Sequence, residues 1–219
     1  MNLNNLKPPY ETKRLMLRPF VAGDEAQFAA YHCRPDVYRY LYAAAPAGST
    51  LEQKFARAQV VRFNNDADVY RLAVVQKADH ALIGEVLLKL ESKQARQGEV
   101  GYIFNPDFGG QGYATEAVKA LVRVGFEEVG FHRIFAHLDS ENLRSVGVVE
   151  RLGFRCEAHL IENDCFDGRW GSEFIYAMLK SEWAAGVGQE PITSRHDSVA
   201  LWKRTASNDP FIHPSTKTE

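Results

Sequence analysis

One strand-to-helix junction constrains this chain more than any other stretch. Glu99-Val-Gly-Tyr-Ile-Phe104 reads as an apolar strand, closed by Pro106. Glycines follow in Gly109-Gly-Gln-Gly112. From Tyr113 to Val129 the apolar positions Ala114, Ala117, Val118, Leu121, Val122 and Phe126 recur at helical spacing, and Gly130 is placed to stop the helix. Glycines at such a junction let backbone N–H groups approach an anion, and the helix adds its positive N-terminal dipole. The order therefore predicts a pyrophosphate cradle. It is not a P-loop, since no Gly-Lys-Ser/Thr follows, and its glycines do not fit Gly-x-Gly-x-x-Gly.

The flanking segments predict a mixed α/β domain. Residues 12–20 read as a first strand, and Asp24 to Tyr42 as helix broken at Pro35. Thr50 reads as an N-cap, with Gln53 completing a capping box, for a helix running to about Asn65. Val69 to Gln76 and Leu82 to Leu90 are β-type runs around a turn at Asp79-His80. Arg133 to Leu138 is a further strand, and Asp139 or Ser140 is placed to cap a helix over Asn142 to Leu152. Phe154 to Asn163 and Glu173 to Leu179 form a last β pair around Asp167-Gly168. Beyond Gly186-Val-Gly-Gln-Glu-Pro191 the chain turns polar, with one apolar patch at Val199 to Trp202. Residues 185–219 read as a flexible tail or a packing arm.

Composition narrows the setting. A net charge of −2 leaves no basic footprint for nucleic acid. No apolar run reaches the roughly 18 residues of a membrane span, and residues 1–9 lack a signal-peptide core, which favours the cytoplasm. Cys33, Cys156 and Cys165 form no paired framework. Cys156, His159 and Cys165 fit no common zinc spacing, so no metal is expected.

Gly112-Tyr-Ala-Thr-Glu-Ala117 resembles the acetyl-CoA pyrophosphate loop of the GNAT N-acetyltransferases, closest to the branch with the ribosomal-protein N-terminal acetyltransferases. Three other segments agree, in order. They are Glu11-Thr-Lys-Arg-Leu-Met-Leu-Arg-Pro-Phe20, Asn142-Leu-Arg-Ser145 with Glu150-Arg-Leu-Gly-Phe154, and Gly168-Arg-Trp170 with Ile175-Tyr-Ala-Met-Leu179 and Glu182-Trp183. The resemblance spans residues 9–184. It implies an α/β (α+β) fold: a mixed, mostly antiparallel sheet of about seven strands flanked by about four helices. It also implies acetyl-CoA as co-substrate, a primary amine as acceptor, and a monomer or homodimer. The acceptor is a protein N-terminal α-amine or a small amine such as a polyamine, amino acid or antibiotic. A non-catalytic acyl-CoA-binding module is the reading from another class.

Site residues carry over position by position. Gly110, Gln111, Gly112, Tyr113, Ala114 and Thr115 fall on the pyrophosphate loop, and Ile103, Phe104 and Asn105 on the strand that serves the pantetheine arm. Gly109 departs from the Gln or Arg usual at its position. Asn142 falls near the pantetheine. Many relatives place a Tyr acid seven residues after this Asn, where this chain has Val149; its branch has instead a Ser three residues on, here Ser145. Such a hydroxyl can serve the departing thiolate. Three carboxylates are candidates for taking the amine proton: Asp164 first, by alignment with the branch, then Glu99, then Glu162, two residues from Asp164 on the same face of a regular strand. His132 and His137 read as structural ahead of a role as base, Tyr102 and Tyr113 pack the cofactor groove or the core, and Tyr38, Tyr40 and Tyr42 read as core ahead of lining the acceptor pocket.

Overall fold

The computed structural model describes residues 6–186. Beyond its first two residues, the expected tail lies outside the described region. Strands β1 (Tyr10–Glu11), β2 (Leu15–Arg18), β3 (Val69–Gln76), β4 (Leu82–Ser92), β5 (Gln97–Phe104), β6 (Arg133–Asp139), β7 (Arg155–Phe166) and β8 (Arg169–Leu179) form one sheet in the order β1-β2-β3-β4-β5-β6-β8-β7. All neighbours are antiparallel except β5 and β6. The helices are α1 (Glu25–His32), α2 (Pro35–Tyr38), α3 (Ser49–Ala58), α4 (Tyr113–Arg123), α5 (Leu143–Arg151) and α6 (Lys180–Ala184).

Several expected boundaries move. The first expected strand, 12–20, shortens to Leu15–Arg18, and a turn from Thr12 N to the Leu15 carbonyl pairs it with the short β1 ahead of it. Helix α3 starts at Ser49 after Gly48 and ends at Ala58. Thr50 is not its N-cap: its hydroxyl bonds the amide and carbonyl of Ala47. The residue that caps α5 is Asn142, whose side-chain oxygen accepts from Ser145 N at 3.2 Å. The helical stripe after Tyr113 does run to Val129, its last turn widened into a π segment over Val124–Val129 and closed by left-handed Gly130. Gly125 suits that turn, since a Cβ there would meet Ile134 Cδ1 at 2.7 Å.

Strand alternation sends side chains to two faces. On one, Val86, Leu88, Leu90 and Val100 pack against Ala117, Val118, Leu121 and Val122 of α4 and Val146, Val148 and Val149 of α5. On the other, a smaller cluster of Phe20, Phe28, Tyr31, Phe55 and Ala58 covers Ala73, Val75 and Leu82 under α1 and α3. A charge lies beneath that second cluster. Glu85, fully buried on β4, accepts from Arg71 Nη1, Tyr31 OH (3.5 Å) and His32 Nε2 (3.3 Å), and His32 Nδ1 meets Tyr38 OH at 2.7 Å. Burial raises the Glu85 carboxyl pKa, but the Arg71 cation and His32 outweigh it and hold the group below its ordinary value. Burial, despite Glu85, holds His32 below its ordinary value, and burial does the same to nearby Lys54.

Two outcomes follow. Arg71→Met, which strands the Glu85 charge, lowers stability in urea titration by about 3–5 kcal/mol, and adding Glu85→Met restores most of the loss. The His32 pKa sits lower in the folded than in the unfolded chain, whose reference is 6.5, so below that pH the unfolded state binds more protons. Stability is steady above pH 6.5 and falls on acidification below it, and His32→Asn flattens that part of the profile.

Candidate active site

The parallel pairing of β5 and β6 covers only Gln97–Arg133, Gly98–Ile134 and Glu99–Phe135. Beyond Glu99 the strands part. β6 stays paired to β8 up to Asp139, and β5 stays paired to β4 up to Phe104, so the edges facing each other are open. Two flanking sheet halves thus hold a V-shaped gap, with Glu99 and Phe135 at its closed end. Tyr102 ties one wall to α5, its hydroxyl donating to the Ser145 carbonyl at 2.9 Å.

The open end leads into the glycine loop. Asn105 follows β5 and caps a short turn over Pro106–Phe108, its side chain accepting from Asp107 N at 3.1 Å. Gly109 N closes that turn on the Pro106 carbonyl, and a Cβ at 109 would lie 2.9 Å from the same oxygen. That contact accounts for glycine where Gln or Arg is usual. Gly110 and Gly112 are left-handed, at φ 78° and 77°, a region that favours glycine. Gly112 is the N-cap of α4 and its carbonyl accepts from Glu116 N, so the N–H groups of Tyr113, Ala114 and Thr115 have no intrahelical acceptor. Gly110, Gln111 and Gly112 are exposed. The loop therefore offers backbone donors without intrahelical partners at an exposed helix start, and it fits a pyrophosphate. The Tyr113 side chain turns inward, buried under the Arg14 guanidinium, with Gln76 donating to its hydroxyl.

Asn142 and Ser145 open α5 beside the gap. The Asn142 oxygen is committed to capping, which leaves its amide N–H groups. The Ser145 hydroxyl has no hydrogen-bond partner among the described residues.

The α1–α3 side of the gap is lined by carboxylates. Glu99 lies 3.6 Å from Lys89 Nζ and 3.8 Å from His137 Nδ1, about one-quarter exposed. His137 and Asp139 continue along the same face of β6, and Glu173 of β8 pairs opposite Asp139. Tyr42, from the segment after α2, reaches across to donate its hydroxyl to Asp139 at 2.7 Å. Its ring fills the place where a Cβ on Gly171 would stand. Burial raises the Tyr42 pKa first, and Asp139, Glu173 and Asp164 add to it. Asp164 is exposed on β7, its carboxylate accepting from Cys165 N. Glu162 does not share a regular face with it: the β7 register slips between Leu160 and Asp164, and Glu162 takes φ 47°.

Sequence reading missed three features: buried Glu85, the Tyr42–Asp139 contact, and the contact of Arg14 with Glu116. Only Glu85 had a local signal, a lone acid inside the apolar run Leu82 to Leu88. Among the described residues, no group of His, Cys, Asp and Glu could hold a metal, and no helix is long and apolar enough to cross a membrane.

Residues 14–155 match the family model described as acetyltransferase (GNAT) domain. YnaD of Bacillus subtilis, named an uncharacterized N-acetyltransferase, is 31% identical over 78% of this chain and 97% of its own length. YdaF of the same organism, provisionally named a ribosomal N-acetyltransferase, is 30% identical over 48% of this chain and 57% of its own length. The crystal structure of spermidine N-acetyltransferase from Vibrio cholerae, in complex with CoA and spermine, shares the fold, with a TM-score of 0.68 at 24% identity over 79% of this chain and 99% of that one. With the family model covering more than half of its length and YnaD aligned over nearly its whole length, this chain belongs to the GNAT acetyltransferases, acetyl-CoA-dependent N-acyltransferases.

Proposed function

We propose that this enzyme acetylates a primary amine that arrives as an ammonium ion, by direct attack in a ternary complex, with a protein N-terminal α-amine as the first acceptor reading. The observation that carries the proposal is the line of carboxylates Glu99, Asp139 and Glu173 along one face of the open strands. Bound acetyl-CoA would supply the activated acetyl thioester. The amides of Gly110 to Thr115 would hold its pyrophosphate, and main-chain groups of Ile103, Phe104 and Asn105, with the Asn142 amide, would hold the pantetheine arm. Glu99 would take the ammonium proton, directly or through water. Its place at the closed end of the gap favours it over Asp164, which lies on the outermost strand. Ser145, with its hydroxyl uncommitted, would donate to the departing sulfur. Direct attack is favoured because Cys156 and Cys165 lie on the edge strand and Cys33 at the end of α1, none of them at the gap. Three unpaired thiols also suit a reducing cytoplasm.

A second acceptor reading, a polyamine, is favoured by the Tyr42–Asp139 contact, which narrows the acceptor face to a slender chain with carboxylates beside it. Screening polyamines and N-terminal peptides for CoA release separates the two readings; release with neither class overturns both.

Glu99→Gln lowers kcat/KM strongly at neutral pH and less at high pH, where the acceptor is already neutral. The recovery follows the acceptor, near pH ~8 for an α-amine and ~10.4 for a Lys-type amine. Asp164→Asn serves as the matched variant; if it alone shows this profile, Glu99 is not the base. Ser145→Ala lowers kcat by ~10²–10⁴-fold with little change in the acetyl-CoA KM if the hydroxyl protonates the thiolate. A turnover change below about threefold removes it from that role.

A further inference from the structure

We infer that Arg14 is a positioning residue that sets the pyrophosphate cradle from behind, by fixing the direction of the Gln111–Gly112 peptide. The inference rests on reading residues 109–115 as that cradle. Arg14 immediately precedes β2, nearly one hundred residues from the loop, yet it makes four contacts there. Its Nη1 donates to the Gln111 carbonyl at 2.8 Å, and its Nε donates to Glu116 Oε2 at 2.6 Å. Its own backbone N–H donates to Glu116 Oε1 at 2.9 Å, and its guanidinium carbon lies 4.4 Å from the centre of the Tyr113 ring. Thr12 Oγ1 completes the node, donating to Glu116 Oε1 at 2.6 Å.

The geometry has a direct consequence for the cradle. A trans peptide points its N–H away from its C=O, and the Gln111–Gly112 bond is trans. Holding the Gln111 carbonyl toward Arg14 therefore turns the Gly112 N–H to the opposite side of the loop. Left-handed Gly112 on its own is a soft hinge, because glycine populates positive and negative φ about equally. Nη2 stands 3.6 Å from where a Gly112 Cβ would be, so the guanidinium backs the hinge itself.

The same node settles a charge conflict. Glu116 lies in the first turn of α4, where a bare carboxylate would repel an anion bound at the helix start. Arg14 pairs with that carboxylate at 2.6 Å, leaving the first-turn N–H groups and the helix dipole to act on the ligand. Burial raises the Glu116 pKa, but the bonds from Thr12 and Arg14 outweigh it, so the group is ionised and needs this partner at neutral pH. Only a planar fork serves the carbonyl and the carboxylate together; a lysine ammonium has one nitrogen for both.

The test measures acetyl-CoA binding by calorimetry in Arg14→Gln, Arg14→Lys and Gly112→Asp, and the Gly112 amide resonance by ¹⁵N NMR in the two Arg14 variants. Both Arg14 variants are expected to lose at least tenfold in affinity and to shift the free-state Gly112 resonance, while spectra away from residues 12–16 and 109–116 stay as in the parent. Gly112→Asp, which sets a side chain and a negative charge into the cradle, is expected to lose at least as much. An Arg14→Lys protein that binds like the parent overturns the fork and leaves a simple charge effect. Parent-like binding in Arg14→Gln, with loss in Gly112→Asp, overturns the inference and leaves the cradle intact. Parent-like binding in Gly112→Asp overturns the cradle reading itself. Loss in Arg14→Gln with spectral change spread into β3, β4 and the far end of α4 assigns Arg14 to general folding and overturns positioning.

Discussion

The parting of β5 from β6 is the constraint on which the rest of this structure depends. A sheet normally hides its interior backbone donors and acceptors in strand ladders, since an unpaired buried amide or carbonyl costs free energy. Here the pairing stops after three residues, and each strand is kept straight by its other neighbour, β4 for one and β8 for the other. The open edges are thus held by some of the best-paired parts of the sheet. They face each other across a gap that a ligand with alternating polar groups can enter as a stand-in strand.

Two polar nodes tie the surrounding elements to the sheet, one on each face. Glu116 gathers Thr12, Arg14 and the start of α4, and so joins the first strands of the chain to the loop near its middle. Glu85 gathers Arg71, His32 and Tyr31, with Tyr38 bonded to His32, and so joins α1 and α2 to β3 and β4. Apolar packing could hold these helices equally well but would tolerate small shifts of register. A buried carboxylate with several directed donors does not tolerate them, since each lost partner leaves a desolvated charge. The expense of such a node is understandable next to a site where a few tenths of an ångström matter.

The sequence carried the parts of the fold that rest on periodicity and on glycine. The stripe from Ala114 to Phe126 buries as its spacing predicts, and Gly130 ends it in the left-handed region. The break at Pro35 and the turn at Asp167-Gly168 also follow from local chemistry alone. What failed were short-range competitions that a single sequence does not weigh. Thr50 had a cap's composition, but Gly48 supplied the entry geometry and left the hydroxyl to bond Ala47. Asn142 capped α5 instead of Asp139 because Asp139 is held in β6, where it receives Tyr42. The site divided the same way. The glycine loop was legible because its function lies in the backbone, whereas Tyr42 and Arg14 act across 97 and 102 residues of chain and no local pattern marks such pairs.

The sheet also separates charge in a way that the net value of −2 conceals. At the loop, helix α4 presents unpaired N–H groups, and its one nearby carboxylate is neutralised by Arg14. On the α1–α3 face, Glu99, Asp139 and Glu173 line up along neighbouring strands. An anionic cofactor and a cationic acceptor would each be drawn to its own side of one thin layer and would meet where the strands part. The arrangement treats substrate and product differently. An ammonium would be attracted by those carboxylates, but its charge is lost once Glu99 takes its proton, and the acetamide formed from it carries none. At an effective dielectric of about 20, a unit charge 4 Å from a carboxylate gains about 4 kcal/mol before desolvation is counted. Part of that would vanish on acetylation, so the electrostatics that gather the acceptor would also favour release of the product. This asymmetry needs no moving part, and it holds equally for an N-terminal α-amine and for a polyamine nitrogen.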